Sequence, residues 1–70
     1  MAHPTNIEIG QRIRKLRLDK ALTQLTLAQE AGVKANTLAR LERGEHKPSP
    51  DTIEGLAKAL GVTASDIWGY

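Results

Sequence analysis

Seventy residues with a formal net charge of +2 and no cysteine make one small domain, too short for a separate catalytic or effector-sensing module. Disulfides and cysteine-based zinc sites are excluded, so stability rests on packed helices, with a partner subunit as the available supplement. No apolar run approaches the roughly 20 residues that span a bilayer, and residues 1–6 lack the charged-then-apolar order of a signal peptide; a soluble cytoplasmic protein with no membrane association is expected.

Residues 1–8 read as an N-terminal tail. Ile9, Ile13 and Leu16 recur at helical spacing and give a first helix its apolar face, ending near Lys20. Thr23 is a good N-cap for a second helix over about 24–31, because its hydroxyl accepts a bond from a first-turn N–H. Gly32 stops that helix, since glycine tolerates the left-handed backbone of a tight turn. A third helix follows over about 34–43. Residues 45–50 form a loop. Ser49 caps a fourth helix, with Pro50 at the first position, where a missing N–H costs nothing. Ile53, Leu56, Ala57 and Leu60 are its buried face, and Gly61 ends it. Thr63 and Asp66 form a capping box for a short fifth helix, in which Ile67 and Trp68 close the core. Residues 69 and 70 are a C-terminal tail. The expected fold is all-α, five short helices around one core over residues 9–68.

Charge is unevenly spread along this order. Nine of the ten basic residues lie in residues 1–47, against five acids; residues 48–70 hold one base and three acids. A basic half joined to an acidic half points to a polyanionic partner for the first. The third helix divides the same way. On a wheel at 100° per residue, Leu38 and Leu41 fall together, with Glu42 at their edge, while Asn36, Ala39, Arg40 and Arg43 share the other side. Arginine pairs in bidentate fashion with guanine O6 and N7, asparagine does the same with adenine N6 and N7, and alanine meets a thymine methyl. By periodicity alone, an ordinary amphipathic helix with a wet face is the better fit.

The order of residues separates the two. Leu22-Thr23-Gln24-x-x-Leu27-Ala28-x-x-Ala31-Gly32-Val33, then Thr37-Leu38-x-Arg40-Leu41-Glu42-Arg43-Gly44, then Pro48-Ser49 and Ala57-x-Ala59-Leu60-Gly61-Val62, resembles the Xre-like family, the Cro and phage-repressor type of helix-turn-helix. That resemblance runs from about Ile9 to Trp68. It implies a compact, lambda-repressor-like fold with the helix-turn-helix at residues 23–43. It also implies a homodimer on a palindromic operator of double-stranded DNA, and a transcriptional regulator of bacterial or phage origin. Residue by residue, it puts Gln24 against a phosphate and near the first base of the half-site, with Asn36 as its partner on DNA. Ala35, Asn36, Thr37, Ala39 and Arg40 then occupy base-facing positions, and Lys34, Arg43 and Lys47 phosphate-facing ones. Arg17 and Glu42 match a pair that braces helices 1 and 3.

Three departures from the family pattern carry consequences. Lys34 stands where a serine or threonine cap is usual, so helix 3 starts on a weaker cap. Ala21 replaces a glycine after helix 1, and a positive φ there adds strain of roughly 1–2 kcal/mol. Leu18 and Leu25 replace polar residues and offer an apolar contact patch. Trp68 and Tyr70 are the candidate dimer contacts, because aromatic residues are enriched at interfaces, although Trp68 is better read as a lid on the core over helices 1 and 4, and Tyr70 as either a dimer contact or a disordered end.

Enzymatic activity is not expected. His46, Ser49 and Asp51 have the residue types of a hydrolytic triad but crowd one loop with no scaffold to aim them. HExxH, GxGxxG and P-loop patterns are absent. His3 near the amino terminus would bind copper or nickel only if Met1 is retained, so no metal, cofactor or small-molecule ligand is expected. The competing reading is a protein-interaction module: the same fold serves in antitoxins, whose partner is a toxin, and as the DNA-binding domain of longer regulators.

Overall fold

Each helix of the domain begins at a residue that supplies an oxygen or a fixed φ, with one exception that lies in the functional region. A computed structural model describes residues 4–70, which form α1 (Asn6–Asp19), α2 (Gln24–Ala31), α3 (Ala35–Glu42), α4 (Pro50–Leu60) and α5 (Ala64–Trp68). The position of His3 lies outside the described residues. Thr23, Ser49 and Thr63 accept bonds from the N–H groups of Thr26, Thr52 and Asp66, and Asp66 closes a capping box back onto Thr63. Gly32 and Gly61 sit at φ of 73° and 71°, the left-handed region that ends α2 and α4 without a Cβ penalty.

The first helix begins earlier than its apolar repeat suggests. Thr5 caps it through the Glu8 N–H at 3.1 Å and donates back to the Glu8 carboxylate at 3.3 Å. Residues 6–8 are therefore helical and not tail. The apolar repeat is silent there because Ile7 points outward, 58% exposed. The third helix is shorter than its expected span: Lys34 and Arg43 are its flanking caps, and Lys34 makes no side-chain capping bond.

Burial follows the helical repeats. Ile9 and Ile13 of α1, Leu27 and Ala28 of α2, Leu38 and Leu41 of α3, Ile53, Leu56, Ala57 and Leu60 of α4, and Ile67 of α5 form a single core. Fully burying each of the large side chains contributes about 1.5–3 kcal/mol. Leu16, Leu22, Val33, Val62 and Trp68 pack around its margin. Helix α2 lies mainly against α4, while α3 leans on both α1 and α2. The radius of gyration of 10.6 Å is that of a fully packed chain of this length, about 11 Å.

Two backbone approaches set the helix spacing. Gly10 is buried on α1 where a Cβ would stand 2.3 Å from the Leu41 carbonyl oxygen and 2.9 Å from that of Glu42. Gly55 on α4 plays the same part against Ala31, whose carbonyl oxygen is 2.6 Å from the position of a Cβ. In both cases the obstacle is main chain, which no rotamer change relieves.

The turn after α1 carries the strain anticipated for Ala21, which adopts φ 57° with its N–H on the Leu18 carbonyl at 2.9 Å. Ala21 is exposed, so a glycine there loses no packing. Ala21→Gly is expected to stabilise the domain by about 1 kcal/mol, the left-handed penalty less the extra freedom of the unfolded glycine chain. Urea denaturation should show a higher midpoint. An unchanged or lower midpoint would mean that the turn is not strained.

Candidate nucleic-acid interface

The outward face of α3 is held in place by an ion pair beneath it. Arg17 projects from α1 and donates through Nε to Glu42 Oε2 at 2.7 Å and through Nη2 to Glu42 Oε1 at 2.9 Å. Its remaining arm, Nη1, donates to the Leu22 carbonyl at 2.9 Å. The two side chains are 10% and 4% exposed. The hydrogen bond to Glu42 holds the Arg17 guanidinium above its usual pKa, against the opposing effect of burial. The fork geometry of arginine matches a carboxylate in this two-bond manner. One contact therefore fixes α1, the loop before α2 and the end of α3.

Gln24, at the first turn of α2, joins the same cluster. Its Nε2 donates to Glu42 Oε1 at 3.2 Å, and the residue is half-buried. In this structure one amide N–H braces Glu42, which leaves the amide oxygen and the second N–H for an outside partner. Sequence reasoning placed Gln24 at the interface and Arg17 with Glu42, but did not connect the two groups.

Above this base, Asn36, Arg40 and Arg43 are exposed along one side of α3, and Ala39 and Thr37 are half-buried between them and the core. Ala35 is also half-buried and packs on the core, so of the two alanines Ala39 lies closer to the open face. Lys34 and Lys47 are exposed at the two ends. His46 is half-buried, with Nδ1 at 3.5 Å from the Lys47 carbonyl, and Pro48 is buried, which pins the loop against the domain. Among the described residues no group of three or more His, Asp or Glu side chains is placed to hold a metal ion.

One residue on this face was not singled out by the sequence. Glu45 follows the glycine that ends α3, and its carboxylate takes both nearby arginines: Oε1 accepts from Arg40 Nε at 3.3 Å, and Oε2 accepts from Arg43 Nε. The hydrogen bond to Arg43 lowers the Glu45 pKa and raises that of Arg43, with Arg40 adding a smaller lowering effect. Helical periodicity does not reveal this, because the chain has left the helix before Glu45.

A helix, a tight glycine turn and a second helix with an exposed Asn/Arg face, braced from below, describe a helix-turn-helix. The helix-turn-helix family model HTH_3 matches residues 13–67. The chain belongs to the Xre-like helix-turn-helix family of DNA-binding regulators. It is 43% identical over 61 residues to the immunity repressor protein of Bacillus phage phi105, covering 87% of this chain and 42% of the repressor. It is 35% identical over 71 residues to control protein C.BamHI of Bacillus amyloliquefaciens, covering 100% of this chain and 88% of that protein. Among solved structures, the restriction-modification controller protein C.AhdI of Aeromonas hydrophila is 35% identical with a TM-score of 0.86 over 89% of this chain and 94% of its own. The chain thus spans less than half of the phage repressor but nearly all of the two controllers. These relatives are regulators and not enzymes.

Proposed function

We propose that this chain is a sequence-specific transcriptional regulator, of the repressor or controller kind, that binds a palindromic operator as a homodimer. The observation that carries the reading is the exposed Asn36–Arg40–Arg43 face of α3, fixed in orientation by the buried Arg17–Glu42 pair. A rigid face is what direct readout needs, because hydrogen bonds to base edges tolerate little displacement. Asn36 and Arg40 carry base recognition, with Gln24 contributing its amide oxygen and Thr37, Ala39 and Ala35 lining the approach. Lys34, Arg43 and Lys47 hold phosphates, which supply most of the affinity and none of the sequence choice.

Similarity over 88% of one control protein and 94% of another's solved chain supports the controller kind of regulator. Two copies would set their α3 helices in successive major grooves about 34 Å apart. Trp68 and Tyr70 are the candidate dimer contacts: their rings lie 6.2 Å apart, Trp68 resting on the core and Tyr70 63% exposed.

Selection of bound sites from random duplex DNA tests the whole reading at once. The expected product is an inverted repeat with half-site centres about one helical turn apart, and sedimentation should find two chains per site. Recovery of no enriched sequence would overturn sequence-specific binding. An enriched single half-site carrying one chain would overturn the dimer.

A further inference from the structure

On the face assigned to DNA, one acidic side chain already occupies the two arginines that should meet it. The backbone puts Glu45 there. Gly44 N–H bonds the Leu41 carbonyl at 3.0 Å and Glu45 N–H bonds the Arg40 carbonyl at 3.1 Å, a pair of bonds that closes the end of α3 and turns the chain back over it. Gly44 sits at φ 75° to make this turn. Glu45 is thereby anchored through its own N–H beside Arg40, and its carboxylate spans Arg40 and Arg43. The three side chains are 50%, 58% and 41% exposed, open enough for an incoming phosphate or base to compete.

We propose that Glu45 is a specificity-setting residue, a resident anion that competes with DNA for Arg40 and Arg43 and so suppresses binding to non-cognate duplex. The inference rests on the reading that α3 meets DNA. Any duplex supplies phosphates that draw Arg43 away from Glu45. A non-cognate duplex gives Arg40 no guanine in return, so the carboxylate stays on the face close to the backbone charges. A cognate site offers Arg40 a bidentate partner, and both arginines then exchange one anion for better-placed acceptors. Exposed ion pairs are weak, which suits a competitor that has to yield to the right site. A strong buried pair would block binding altogether.

The test is Glu45→Gln, which keeps the size and removes the charge. Binding to a random-sequence duplex is measured across a salt series for the wild-type chain, for Glu45→Gln and for Glu54→Gln, which removes an exposed charge on α4. Loss of one negative charge several ångströms from a phosphate corresponds to about threefold tighter binding at the dielectric of water and more at lower effective values. Glu45→Gln is therefore expected to bind non-cognate duplex about 3- to 30-fold more tightly, with a log–log salt dependence steeper by about one. The selected operator should gain less. Unchanged or weaker binding, or an equal gain in Glu54→Gln, would overturn the proposal, the latter by reducing it to net charge. A wild-type chain that binds no duplex at all would instead remove the DNA reading beneath it. Thermal melting of both variants at the wild-type temperature verifies that the fold is intact.

Discussion

Glu42→Ala is expected to destabilise the domain by about 3–5 kcal/mol, the cost of leaving a buried charge without its partner. Arg17 would keep only the Leu22 carbonyl for its five donors, and Gln24 would lose its acceptor as well. A 70-residue domain has a total stability of roughly 3.5–10 kcal/mol, so this single change removes about 30% of it or more. The expected thermal shift exceeds 10 °C, since about 4–8 °C accompanies each kcal/mol in a domain of this size. Replacing both partners by apolar residues, Arg17→Met with Glu42→Leu, should cost much less than either single truncation, because no charge is then left stranded. A double-mutant cycle measured by urea denaturation checks this. Coupling of about 2 kcal/mol or more is expected, and coupling near zero would show that the pair does not brace α3.

Gly10→Ala is expected to destabilise the domain by about 1–3 kcal/mol, as overpacking does. In an ordinary helix interior this substitution stabilises by nearly 1 kcal/mol, so the expected sign is the reverse of the propensity rule. The reason is the Leu41 carbonyl oxygen at 2.3 Å from the new Cβ. Helix α1 has to retreat from α3, and the retreat pulls on the Arg17–Glu42 pair about two turns further along α1. Gly32→Ala is the useful contrast, since nothing lies within 4 Å of its Cβ and only the φ of 73° opposes it. Thermal melting separates the two cases. A Gly10→Ala domain as stable as the wild type would mean that α1 and α3 can slide apart freely, against the rigid face argued above.

Most of the fold was readable in the sequence because its signals are local. Thr23, Ser49 and Thr63 act on N–H groups three residues away, and Gly32 and Gly61 act on their own φ. The apolar repeats of α1 and α4 reach the core as spacing requires. The start of α1 was not readable from its apolar repeat, because Ile7 faces outward and only Thr5 marks the cap. The roles of Gly10 and Gly55 were hidden for a different reason: a glycine inside a helical repeat looks like a weakness until a neighbouring backbone is seen against it.

The site divides in the same way. Asn36, Arg40 and Arg43 share a face by helical geometry alone, so their common exposure follows from spacing. The contacts of Arg17 and Gln24 with Glu42 cross 25 and 18 residues of chain, and residue order pointed to the first of them only through the family resemblance. Glu45 escaped notice because it belongs to the turn after α3, where the helical repeat no longer predicts direction. Leu18 and Leu25 are 54% and 57% exposed among the described residues, and no contact in the site explains them.

The most direct test of the DNA reading is the affinity of Arg40→Ala for the selected operator and for operators altered at each base pair in turn. A loss of about 1–3 kcal/mol on the parent operator is expected, with discrimination relaxed at one base pair and retained at the others. Unchanged affinity together with unchanged discrimination at every position would contradict the docking of α3 in the major groove.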